Sequence, residues 1–486
     1  MHFVVGLYTF NSFFLFSKEF EMQVILDILN FIGEQLLSSY SIVLGLVALV
    51  GLLLLKKPTP QIISGVIKTI VGVIIISAGA GVLVGGINPL TNIINHVLGV
   101  QGVLPTNEAA LPFALEKFGQ IGSLVMVGGF LLNLLLARFT KYKFIYLTGH
   151  IMLYVSLFVV IVLNATIGLE GWKLWLAGTV VMGLYFTLMP ALNYPGTKDV
   201  TGGEKFSVGH TGDFSYWFSY EVGKLFKKNT RSAEEFNLPK SLSFFRDTTS
   251  SLALTLLPIF LILTLISWNY VATEVAGGQN PIIFAITSSL TFAAGMAIVL
   301  AGVRMMLGEI IPAFAGISEK LVPGAVPAFD CPVVFPYAPT ALLFGFISMF
   351  IGMVIGTALL LVFKSPFVIL PGIVPAFFAG GTSGIFGNAK GGWKGAVVGP
   401  FIMGLVMQIG TALLIPFTGE LFDKGATFGD PFYATVGLAF AKASDLIGKG
   451  GVIGIIVLAA VVLLTVLVFI LGKNYHHLED AAVEKE

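Results

Sequence analysis

Leu321 to Gly345, LVPGAVPAFDCPVVFPYAPTALLFG, is apolar enough to lie in a bilayer, yet Pro323, Pro327, Pro332, Pro336 and Pro339 interrupt it and it carries one carboxylate, Asp330. Proline removes a backbone donor and clashes with the preceding turn, so the stretch is predicted to run as short helical pieces and extended links. Backbone of that kind is tolerated at membrane depth only where protein or a watery cavity satisfies it. A carboxylate at such depth is costly and marks a substrate or ion path. The plainer alternative is an irregular external loop with Asp330 solvated.

The remainder of the chain favours the membrane reading. Of 486 residues, 56% are hydrophobic and 11% are charged, which identifies a polytopic, all-α membrane protein. The 57 glycines suit close helix approach, and the single cysteine excludes a disulfide framework or a cysteine-based metal site. A net charge of +1 argues against nucleic acid as a partner.

Runs of about 20 apolar residues are expected to span near 36–55, 63–86, 119–137, 144–164, 172–189, 250–268, 282–303, 341–363, 367–386, 395–416 and 452–472, eleven in all. With the N-terminus outside and the C-terminus inside, the basic ends Lys56-Lys57, Arg138-Lys141-Lys143, the Lys224 to Arg246 loop, Arg304, Lys390-Lys394 and Lys473 fall on one side. Lys173 and Lys364 are the exceptions. Residues 1–21 make a poor signal peptide and read as an extension ahead of a start at Met22, and 22–39 read as an interfacial amphipathic helix. Residues 473–486 read as a cytoplasmic tail.

Four segments are too polar or too broken to span: 88–119, 193–247, 321–340 and 417–451. The first and third read as re-entrant hairpins. They also resemble each other, because Pro89 with Pro323, Pro105 with Pro339 and Thr106 with Thr340 fall at one constant offset. Leu147-Thr148-Gly149 likewise resembles Leu370-Pro371-Gly372. An odd number of spans between the copies predicts two inverted repeats, over 36–247 and 250–451, with a final span at 452–472. Inverted repeats with broken hairpins are the build of a transporter whose site lies near the midplane.

No catalytic site and no cofactor are read from the sequence. Gly79-Ala80-Gly81 lacks the rest of a dinucleotide fingerprint, and neither a phosphate loop nor an HExxH metal motif occurs. Gly380 to Gly392 reads as tight packing. The informative groups are polar residues inside apolar sequence: Thr106, Asn107 and Glu108; His150; His210, Thr211 and Asp213; and Asp330. They offer donors, acceptors and both signs of charge to a hydroxyl-rich ligand, with Tyr154, Phe214 and Trp217 available to stack on a ring. A satisfied core histidine is the alternative for His150 and His210, and an interfacial one for His96. Glu309 is expected to pair with Arg304 one turn earlier, and Cys331 reads as a small apolar filler.

Segments at 67–72 (IKTIVG), 147–152 (LTGHIM), 206–210 (FSVGH), 237–247 (NLPKSL to FRD), 304–331 (RMMLGEIIPAFAGISEKLVPGAVPAFDC), 338–346 (APTALLFGF) and 370–378 (LPGIVPAFF) together resemble the ascorbate-specific permease subunit, enzyme IIC, of the bacterial phosphotransferase system. The resemblance implies a homodimer in the inner membrane, divided into a dimer-forming gate and a substrate-carrying core that moves as an elevator. It implies too that the sugar is phosphorylated on entry by a separate enzyme IIB, charged by IIA, for which the Lys224 to Arg246 loop is a docking surface or a plain solvated loop. His150, His210 and Asp330 match the family's substrate-contacting positions. The chain departs from the family at Tyr154 and Thr211, where the family has glutamine, and at Asn107-Glu108, where it has Thr-Tyr. L-ascorbate is the expected substrate, with a neutral pentose or polyol or another sugar acid left open. An ion-coupled secondary transporter using Glu309, Asp330 or Glu108 is the alternative class.

Overall fold

The computed structural model describes residues 40–449 except 100, 227–229, 237–247, 323 and 420–424. The expected extension at 1–21, the interfacial helix at 22–39, the span at 452–472, the tail at 473–486 and much of the Lys224 to Arg246 loop lie outside these residues.

One group of helices comprises α1 (Tyr40–Leu54), α2 (Thr59–Leu98), α7 (Thr248–Ile266) and α8 (Pro281–Leu321). Its centre is the antiparallel contact of α2 with α8. Gly72, Gly79 and Gly86 make that contact possible: an added Cβ would sit 2.5 Å from Met306 N, 2.9 Å from Val299 N and 2.5 Å from Phe292 N respectively. Small residues of this kind let helix backbones touch in a membrane. At 40 and 41 residues α2 and α8 are each about 60 Å long, twice the hydrocarbon thickness.

Both helices therefore outrun the spans expected of them. α2 continues through Pro89, where a hairpin was expected to begin, and α8 continues past Arg304, which was expected to mark a span's end. A proline within a membrane helix is tolerated when neighbours satisfy the freed carbonyl, so Pro89 alone does not end α2. The first broken segment is thus the end of α2, a strand, and the opening turns of the next helix.

The second group holds α3 (Asn107–Phe139), α4 (Gly149–Ile167), α5 (Gly171–Thr201), α6 (Asp213–Gly223), α9 (Pro339–Val362), α10 (Gly381–Leu414) and α11 (Leu438–Lys449). α4 lies at its centre, buried on nearly every face from Gly149 to Leu163. The run α10 breaks at Gly392, whose φ of 55° is left-handed. Beyond the break an added Cβ on Gly387 would lie 2.2 Å from the Gly395 carbonyl oxygen. Eight residues of straight helix would separate these two by about 12 Å. The chain bends back here within one helical run.

Six short strands join the segments: β1 (Gln101–Pro105), β2 (Phe144–Tyr146), β3 (Ser207–Val208), β4 (Val326–Phe329), β5 (Phe367–Ile369) and β6 (Ala426–Thr427). They form two three-stranded parallel sheets, β5-β1-β6 and β2-β4-β3. Each takes its central strand from one half of the chain and both outer strands from the other. Open sheet edges are not tolerated in hydrocarbon, and side chains bond to the outer strands β2 and β5. Asn133 accepts from Tyr146 N (3.2 Å) and donates to Phe144 O (2.9 Å), and Thr357 donates to Ile369 O (2.7 Å).

Among the described residues seven helices are long and apolar enough to cross a bilayer, or eight with the pair Leu256–Ile266 and Trp268–Val275, bent by 101°. The chain is a mostly helical, multi-pass membrane protein. Of the eleven expected spans, α1 is shorter than that length, the two flanking Gly392 run together, and 452–472 lies outside the described residues.

Candidate functional site

Asp330 stands where β4 gives way to the 3-10 turn Cys331–Tyr337. Its backbone is extended, and Oδ1 accepts the Cys331 N–H at 2.8 Å, which caps the turn. The proline-rich sequence forces this strand-to-turn change, and the cap fixes the carboxylate. The other oxygen, Oδ2, lies 3.4 Å from Nε2 of His150 in the first turn of α4. Both side chains are partly exposed, at 27% for His150 and 35% for Asp330, and both line a cavity of ≈ 290 Å³.

His210 follows β3 and lines the same cavity. Its Nδ1 receives the Gly212 backbone N–H and lies 2.9 Å from the Tyr216 hydroxyl, with the Gly212 contact also at 2.9 Å. A backbone amide only donates, so Nδ1 carries no proton and the neutral ring presents N–H at Nε2. Asp213 holds this loop from behind: Oδ1 accepts His210 N at 3.0 Å and Asn193 Nδ2 at 2.8 Å.

Asn107 opens α3 after Thr106, whose hydroxyl accepts Ala109 N at 3.1 Å as an N-cap. The Asn107 amide donates to Asp430 Oδ2 and accepts Gly429 N at 3.3 Å. Thr211 Oγ1 donates to the same Asp430 oxygen at 2.5 Å. Gly429 has to be glycine, because an added Cβ would lie 1.9 Å from the Pro105 carbonyl oxygen. Three loops distant in sequence thus close on one carboxylate.

His150, His210, Asp330, Asn107 and Tyr154 are brought together around the cavity, with Ile151, Val374 and Phe378 as apolar wall. Thr106, Thr211 and Asp213 stand behind that wall as supports. The side chains of Glu108 and Glu309 lie outside the described residues, and with them the expected Arg304–Glu309 pair. Of the three rings expected to stack on a ligand, Tyr154 lines the cavity and meets His150 edge-on at 5.8 Å. Phe214 and Trp217 pack on each other instead, at 5.5 Å. His96 stacks on Tyr270 at 3.8 Å and does not line the cavity.

Two charged cavity residues are not among the site residues expected from the sequence: Asp430, and Arg304, which reads there as a span end and a partner for Glu309. A short signal for the first exists: the pair Gly212-Asp213 recurs as Gly429-Asp430, with Pro431 standing between the pair and Phe432. Arg304 enters from α8, so the cavity lies where the first helix group meets the second. His210, Asp330 and Cys331 also bring ligand atoms within 4.8 Å of one another. One ring nitrogen of that set is already engaged and Cys331 is fully buried, so the cluster reads as packing around Asp330.

The chain matches the family described as "PTS system sugar-specific permease component" over residues 35–431, a range that takes in every residue lining the cavity. It is also 30% identical over 445 residues to the "Ascorbate-specific PTS system EIIC component" of Mycoplasma pneumoniae (strain ATCC 29342 / M129 / Subtype 1), covering 81% of this chain and 67% of that protein. With the family matched across both helix groups and the cavity between them, the chain belongs to the sugar-specific permease components, enzyme IIC, of the phosphotransferase system.

Proposed function

We propose that this permease binds L-ascorbate, or a closely related sugar acid, in the cavity of His150, His210, Asp330, Asn107, Asp430 and Arg304 and carries it across the inner membrane. The observation that carries this reading is the lining of the cavity by polar residues of one helix group and by an arginine of the other. Carboxylate oxygens accept sugar hydroxyls, His210 Nε2–H donates to a carbonyl or hydroxyl, and Arg304 balances a substrate anion. The N-termini of α3 and α4, at Asn107 and Gly149, also favour negative charge. These features favour an anionic substrate over a neutral pentose or polyol.

The motion we infer is an elevator. The group built on α4 moves as a core, and α1, α2, α7 and α8 form the gate that pairs with a second copy in a homodimer. Reciprocal strand exchange between the halves supports an inverted repeat, since β1, β2 and β3 then correspond to β4, β5 and β6. The N-terminus lies outside and the C-terminus in the cytoplasm, where enzyme IIB, charged by IIA, phosphorylates the arriving sugar.

The test is uptake by the full-length protein in liposomes. Accumulation of labelled ascorbate is expected only with phosphoenolpyruvate and the soluble partner proteins. Accumulation driven by a proton or sodium gradient alone would replace this mechanism with secondary transport.

A further inference from the structure

A second cavity, of ≈ 480 Å³, opens at the other end of the β2-β4-β3 sheet and is lined by Lys141, Lys143, Lys198, Lys390, Asp199 and Tyr220. Among the described residues its one ion pair joins Lys390 Nζ to Asp199 Oδ2 at 2.6 Å. Tyr220 donates to the same carboxylate oxygen at 2.5 Å, so Asp199, the one acid lining the cavity among the described residues, already meets Lys390 and Tyr220 through Oδ2. Three lysines remain without a carboxylate. Lys198 Nζ rests over the Tyr194 ring at 4.6 Å, and Lys141 Nζ over the Tyr142 ring at 4.9 Å. Ring faces hold an ammonium but take up none of its three donors.

Lys141 is the telling case. Its Nζ is shielded from solvent and makes no hydrogen bond. Desolvation lowers its pKa, and an anion brought alongside would relieve the cost. The placement is built rather than incidental. Lys141 and Lys143 sit in the turn between α3 and β2, and the Lys143 carbonyl accepts Val326 N at 2.7 Å, which locks the turn to β4. Val326 lines this cavity and Asp330 the sugar cavity, so at about 3.3 Å per strand residue the two lie roughly 13 Å apart on one rigid strand.

We propose that this basic cavity is a phosphomonoester site, holding the phosphoryl end of the phosphorylated sugar after it leaves the His150–Asp330 cavity. A concave space of this volume suits a small sugar phosphate, and a cluster of three uncompensated ammonium groups suits a dianion better than the monoanion of the unphosphorylated acid. The proposal rests on the permease reading above and adds to it the route of the product.

The test titrates the purified full chain, in detergent free of phospholipid, with inorganic phosphate and with glucose 6-phosphate, against chloride at matched ionic strength. Wild type is expected to be stabilised by both phosphates. Lys141→Gln/Lys198→Gln should weaken that binding at least tenfold, and Lys141→Arg/Lys198→Arg should retain it. Ascorbate binding is measured in parallel as the check on folding, and it reports on the sugar cavity by itself, so loss of one reading leaves the other standing. Phosphate binding equal in wild type and the Gln pair would overturn the proposal. So would stabilisation by chloride to the same degree. A third arm uses nanodiscs: if phosphatidylglycerol blocks phosphate binding in wild type while phosphatidylcholine does not, the occupant is a lipid headgroup and the product route is withdrawn.

Discussion

Asp430 accepts the Thr211 hydroxyl at 2.5 Å on the same oxygen that receives the amide of Asn107. Asn107 opens the helix after β1, Thr211 follows β3, and Asp430 follows β6, so one carboxylate ties three crossovers together. All three residues are buried, and leaving a buried donor unpaired costs about 1–3 kcal/mol. Asp430→Ala should therefore lower the melting temperature and weaken sugar binding at least tenfold. Asp430→Asn keeps a carbonyl oxygen that can accept both donors, and should melt close to wild type. Equal melting of wild type and the Ala variant would show that the bridge contributes nothing.

Asp330 and His210 reach the cavity from different strands of one sheet, each held by a hydrogen bond to a backbone N–H. Asp330→Asn and His210→Ala should each abolish the thermal shift that ascorbate produces, while size-exclusion profiles stay unchanged. Ligand stabilisation follows mass action, so a tenfold weaker Kd is read directly as a smaller shift at fixed concentration. Full binding by both variants would remove the site assignment.

The sequence was most informative where a physical limit acts on neighbouring residues. Hydrocarbon thickness imposes apolar runs, and these fall within α2, α3 and α5 and coincide closely with α9; proline punctuation marks the strand-to-turn change at Asp330. Polar groups in apolar surroundings drew attention to His150, His210 and Asp330, which do line one cavity. The ends of α2 and α8 were not legible, because nothing local distinguishes a helix leaving the bilayer from one that stops. Strands of two to five residues are too short to show a period, and their partners come from the opposite half of the chain. Depth was equally hidden: Thr106 and Asp213 look as ligand-ready as Asn107, yet loop crossings place them behind the wall. Asp430 does not stand out because 417–451 reads as a polar loop, although Gly429-Asp430 repeats the Gly212-Asp213 pair.

Arg304 is the cavity residue contributed by α8. A charge-assisted hydrogen bond is worth about 1.5–3 kcal/mol, so Arg304→Gln should weaken ascorbate binding by roughly ten- to a hundredfold. Arg304→Lys should recover part of the loss, since the charge remains and the bidentate geometry does not. A neutral pentitol, if it binds wild type, should be little affected by either change. Equal losses for charged and neutral ligands would mean that Arg304 shapes the cavity rather than balancing charge.

The close approach of two loops at Gly429 gives a test that removes no polar group. An added Cβ there would meet the Pro105 carbonyl oxygen at 1.9 Å, a backbone atom that cannot rotate aside. Pro105 ends β1 and pairs in register with Thr427 of β6, so relieving the clash has to strain that pairing and shift Asn107 from Asp430. Gly429→Ala should lower the melting temperature and cost at least tenfold in ascorbate affinity. Gly81→Ala is the matched control: it lies in α2 with no atom within 4 Å of the added Cβ, and alanine is the better helix former by up to about 1 kcal/mol. That variant should melt at or above wild type and bind normally. If Gly429→Ala behaves like Gly81→Ala, the loops can separate freely, and the carboxylate bridge behind the cavity is not what positions Asn107.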